Sequence, residues 1–94
     1  MFVVHVDLQA KPGLRSSLEK AFVETFQPAI SVQDGLTAVS LLRLKENENN
    51  YRLVIAFRDR DLQQKWVATD VHQQAWPAME RPCAQYSVSF YDAV

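Results

Sequence analysis

The 94-residue chain predicts an α+β fold: one antiparallel sheet with its helices on one face, in the order βαββααβ. Three observations carry this. Phe2 to Ala10 and Cys83 to Tyr91 alternate apolar and polar residues with a period of two, which marks strands. Leu14, Leu18, Phe22 and Phe26 recur every four residues, which marks a helix packed on a sheet. Between them lie two further strand-like runs and a polar-apolar stretch from Asp59 to Trp76 that reads as two short helices. This order is the split βαβ, ferredoxin-like sandwich. It sets the first and third strands side by side in the middle, with the last strand flanking the first.

In the first strand, Phe2, Val4, Val6 and Leu8 share one face, and Val3, His5, Asp7 and Gln9 the other. Lys11-Pro12-Gly13 turns the chain. The first helix follows, with Ser16 and Glu19 as a candidate capping box. Pro28 lacks the donor a helix needs, so the helix is predicted to end near Gln27. After Gly35, Leu36 to Lys45 carries apolar residues on both faces: Leu36, Ala38, Leu42 and Leu44 against Val39 and Leu41. One layer of helices covers only one face of a sheet, so the other face is expected to meet a second subunit. Glu46 to Asn50 forms a polar hairpin loop. Tyr51, Leu53, Ile55 and Phe57 then share a face of the third strand. Asp59 is placed to cap one short helix and Asp70 the other, with Gln73 completing a capping box. Pro77 ends or kinks the second helix. In the last strand Ala84, Tyr86, Val88 and Phe90 oppose Cys83, Gln85, Ser87, Ser89 and Tyr91, and Tyr86 and Phe90 read as core.

Composition narrows function. The net charge of −1 has acidic and basic residues interleaved, which excludes the basic face of a nucleic-acid or membrane-surface binder. One cysteine forms no internal disulfide and suits a reducing, cytoplasmic setting. No run is long enough to span a bilayer, and no linker, repeat or second domain interrupts residues 1–94. His5, His72 and Cys83 lack metal-ligand spacing. With only Gly13 and Gly35 there is no phosphate loop. The third strand lacks the glycines and basic surround of an RNA-recognition motif.

The opening Phe2-Val3-Val4-His5-Val6-Asp7-Leu8-Gln9-Ala10-Lys11-Pro12-Gly13, the sequence Phe57…Asp59…Leu62 and the segment Trp66-Val67-Ala68-Thr69 together resemble the antibiotic biosynthesis monooxygenase (ABM) family of dimeric α/β barrels. The resemblance runs nearly end to end. It implies a single ABM-type domain over 1–94, a homodimer joined through the open sheet faces, and a pocket between helices and sheet in each subunit. It also implies a cofactor-independent monooxygenase acting on an aromatic or quinol-like small molecule. Trp66 and His72 fall at the positions implied to be catalytic, and Val6, Leu62, Trp66 and Trp76 at those implied to bind substrate. Members with two helix-pair histidines place them where this chain has Trp66 and Val71. Polyketide oxygenases of the family carry an Asn where Leu62 stands and an aromatic hydroxyl at His72. The haem-degrading branch shares Trp66 but carries an Asn at Val6 and a His at Trp76. A haem-binding relative and a non-catalytic small-molecule-binding module are therefore the alternatives.

Cofactor-free oxygenation needs a base to make an electron-rich anion, a donor for the resulting oxyanion, and a dry site. His72, in the first turn of a helix, is disfavoured as imidazolium by the helix macrodipole and can serve as the base. Trp66 offers an indole N–H and a flat wall; Trp76, four residues after His72, offers another. Each has a plain structural reading as well: Trp66 as a core plug, His72 as a surface helix residue, Trp76 as packing or interface, His5 as a buried structural histidine and Cys83 as an inert thiol.

Overall fold

The computed structural model describes residues 1–94. Its elements are β1 (Phe2–Ala10), α1 (Arg15–Ala21), a π-helical turn (Phe22–Phe26), α2 (Gln27–Ser31), β2 (Leu36–Arg43), β3 (Asn50–Phe57), α3 (Arg60–Val67), α4 (Asp70–Glu80) and β4 (Cys83–Asp92). All strand pairs are antiparallel and the sheet order is β2-β3-β1-β4, as the order of elements predicts. The sheet is open at β2 and β4 and does not close into a barrel. Its helical face holds the core. Val4, Val6 and Leu8 of β1 and Leu53, Ile55 and Phe57 of β3 pack against Leu18, Phe22, Phe26 and Ile30.

The helix does not end at Pro28. It widens first: the Gln27 N–H bonds to the Phe22 carbonyl, a five-residue step. A proline within a regular helix removes a donor and crowds the carbonyl four residues back. Shifting the ladder to five-residue spacing just before Pro28 eases that conflict, and the helix continues to Ser31 and buries Ile30. Pro77 likewise lies inside α4, which runs on to Glu80. The carbonyl it deprives belongs to Gln73, which is exposed and open to water. The Ser16–Glu19 box does not form. Leu14 stands at the N-cap with no side-chain bond, and Glu19 instead accepts from Tyr51 Oη and Arg43.

Two register shifts turn residues to faces other than those simple alternation assigns. Between Leu36 and Ala38 the pairing with β3 slips, so Leu36 joins Val39 and Leu41 on the helical face while Ala38 and Leu42 face away. Between Gln9 and Ala10 the pairing with β4 slips, so Cys83 pairs with Ala10 and is buried. On the sheet's far face no helix covers Val3, His5, Val54 or Leu42, beside which Arg52 Nε donates to Asp7 Oδ1 at 2.7 Å.

Candidate functional site

Local chemistry fixes α3 and α4. Asp59, in extended backbone, accepts the Leu62 N–H at 3.0 Å and starts α3. Leu62 and Trp66, one turn apart, are the residues that α3 buries. Thr69 then starts α4: its Oγ1 accepts the His72 N–H at 3.1 Å and donates to the Trp66 carbonyl at 2.7 Å. The cap is therefore Thr69 and not Asp70, because Thr69 is the last extended residue and Asp70 is already helical. Gln73 does not close a capping box; its side-chain amide donates to the Val67 carbonyl at 2.9 Å. One hydroxyl thus ties the backbone of Trp66 to that of His72.

A cavity of about 220 Å³ lies between these helices and the sheet. Val4 and Val6 of β1 and Leu53 and Ile55 of β3 form its floor. Trp66, His72 and Trp76 form the helical wall, with Gln63 beside them. Of the residues singled out in the sequence, Val6, Trp66, His72 and Trp76 line this one cavity. Leu62 does not: it packs beside Gly35 instead. Gln63, Phe26, Tyr86, Val88 and Phe90 line the cavity and were missed. Gln63 was legible as the residue one helical turn before Trp66. Tyr86 and Phe90 were assigned to core, yet they are 44% and 61% exposed. They do share the helical face with Val4 and Leu8, but the helices stop short of the edge strand β4. A larger concavity of about 800 Å³ lies elsewhere, among Asp7, Arg43, Lys45 and Arg52. Its charged lining and lack of any histidine make the smaller, apolar cavity the better candidate.

Trp66 is 3% exposed and packs edge-on to Phe26 at 6.0 Å between ring centroids. The His72 ring meets Trp66 edge-on at 5.0 Å and 89°. Its Nδ1 is buried with no hydrogen-bond partner. Burial holds the His72 pKa below the ordinary imidazole range, so the ring is neutral near pH 7. Trp76 Nε1 donates to Glu80 Oε2 at 3.2 Å, and its ring meets Tyr86 edge-on at 5.1 Å. Together these side chains form an aromatic chamber with the neutral His72 ring in its wall. His5 lies on the opposite face of the sheet, 4.8 Å from the Tyr91 ring, away from this chamber. Cys83 donates to the Met79 carbonyl at 3.3 Å, and burial, with Glu80 nearby, raises its pKa, as suits an unreactive thiol.

The family model described as antibiotic biosynthesis monooxygenase matches residues 1–78. No curated protein matches the chain. Among solved structures, the chain is similar to a protein from Caulobacter crescentus assigned as an antibiotic biosynthesis monooxygenase. The two are 23% identical with a TM-score of 0.87, over 99% of this chain and 89% of that one. A protein from Deinococcus radiodurans with the same assignment is 16% identical with a TM-score of 0.88, over 100% and 93%. SnoaB, a cofactor-independent oxygenase from Streptomyces nogalater, is 20% identical with a TM-score of 0.83, over 99% and 93%. At these identities the likeness is one of fold.

Proposed function

The chain belongs to the antibiotic biosynthesis monooxygenase family, and from that premise we propose that it is a cofactor-independent monooxygenase of an aromatic or quinol-like small molecule. The observation that carries the proposal is His72: a neutral ring with an unpartnered Nδ1, held edge-on to Trp66 in a chamber otherwise almost wholly apolar. A cavity of roughly 150 Å³ takes a single benzene ring. At about 220 Å³ this chamber suits two fused rings, with more of the ligand reaching out along β4.

The chemistry follows from the residues. His72 takes a proton from the substrate and leaves an electron-rich carbanion or phenolate. For an anthrone-type substrate, the carbanion carbon forms a bond to one atom of O2 and a peroxide results. Scission of the O–O bond with loss of a C–H proton leaves a carbonyl and releases water, so CH2 and O2 give C=O and H2O. Trp66 walls the ring and offers its indole N–H to the developing oxyanion. The apolar lining excludes water, which strengthens that bond. The substrate anion supplies the electrons, so the reaction calls on neither metal nor flavin.

His72→Ala tests the assignment. It lowers kcat by about 10²–10⁴-fold while leaving the circular dichroism spectrum unchanged. Unchanged turnover removes His72 from the mechanism. We also propose a homodimer joined through the helix-free face of the sheet, where Val3, Val54 and Leu42 lack cover.

A further inference from the structure

A second cavity, of about 240 Å³, adjoins the aromatic chamber and shares Gln63 and Phe90 with it. Its other lining includes Arg60, Gln64 and Asp92. Arg60, Gln63 and Val67 fall at i, i+3 and i+7 and form one stripe of α3, while Leu62 and Trp66 turn to the core. Across from that stripe, Tyr86, Val88, Phe90 and Asp92 alternate on the helical side of β4, a run of about 20 Å at strand rise. The two cavities thus share a wall, the first apolar around Trp76 and His72 and the second polar around Arg60. Arg60 takes part in none of the chain's ion pairs, which use Arg15, Lys20, Arg43 and Arg52.

Resting on the reading of the chamber as the ring site, we propose that this polar end selects an aromatic acid: a fused-ring phenol whose carboxylate lies against Arg60. A guanidinium presents a planar fork of donors matched to a carboxylate, and the side-chain amides of Gln63 and Gln64 add further donors. Asp92 opposes an anion, so its charge narrows the preference for the acid without reversing it. The span from Arg60 to Val67 is about 10 Å of helix, so the acid and the reacting hydroxyl lie at opposite ends of the ligand.

Titration calorimetry with 6-hydroxy-2-naphthoate and with uncharged 2-naphthol separates this inference from the one it rests on. The acid is expected to bind about fivefold tighter than the naphthol, with the margin shrinking in added salt. Arg60→Gln erases the margin and leaves 2-naphthol binding unchanged, which also shows the fold intact. Asp92→Asn widens it. Naphthol binding with no preference for the acid, or a preference that survives Arg60→Gln, overturns the role of Arg60 while the aromatic chamber stands. Failure of both compounds to bind overturns the chamber and this inference together.

Discussion

The two hydrogen bonds of Thr69 carry more consequence than their size suggests. Replacing Thr69 with Ala removes a helix cap, at a cost of about 1 kcal/mol in denaturant unfolding. It also frees the backbone that aligns His72 with Trp66, so kcat is expected to fall further than stability accounts for. Burial lowers the His72 pKa, so the folded chain takes up a proton less readily than the unfolded chain. Stability therefore declines as pH drops from the ordinary imidazole range toward the lower folded value, and His72→Gln flattens that decline in urea titrations. By the same lowering, the acid limb of kcat/KM lies below the ordinary imidazole range, and its absence there would remove His72 as the base. At this scale the sequence was partly legible. Trp66, His72 and Trp76 stand out because few residue types supply a ring and a polar tip, and helical spacing brings the last two together. Leu62 misled because an aligned position says nothing of which stripe of a short helix meets the cavity. Gln63, next to it, does.

Glycine placement separates two kinds of turn at the scale of elements. Gly13 and Gly35 both have positive φ, at +80° and +81°. Around Gly13 an added Cβ meets nothing, whereas at Gly35 it collides with the Leu62 side chain. Gly13→Ala is expected to cost about 1 kcal/mol from backbone strain alone. Gly35→Ala costs more, about 3 kcal/mol, because it also pushes α3 off the sheet. Equal midpoints of chemical denaturation for the two variants would contradict this packing. Element order and strand faces were largely readable because period two and a four-residue stripe dominate the chain. What periodicity misses is the insertion of one residue. The slip near Thr37 and the one near Ala84 each turned a residue to the other face, and the wide turn at Phe22–Phe26 carried the helix through Pro28. Such irregularities leave no compositional mark in a single sequence.

At the scale of the whole molecule, the sheet is a partition. One face holds the core and the cleft, and the other carries His5, Val54 and the Asp7–Arg52 pair without a helix over it. The proposed dimer covers that second face, so Val54→Asp is expected to give a monomer in sedimentation at micromolar concentration while the wild type sediments as a dimer. A wild-type monomer would contradict that assembly. The cleft opens on the opposite side, along β4, where the helical layer ends and Val88 and Phe90 stand exposed. A small molecule thus has a way in from solvent without breaching the sheet. In the proposed reaction a neutral His72 against Trp66 turns an apolar cleft into an oxygenating site. The most direct test is oxygen uptake with an anthrone-type substrate, corrected for autoxidation, in wild type, His72→Ala and Trp66→Phe. The expected result is one O2 consumed per carbonyl formed in the wild type, loss of about 10²-fold or more in His72→Ala, and a slowed kcat with little change in KM in Trp66→Phe. Uptake by all three proteins at the same rate would contradict it.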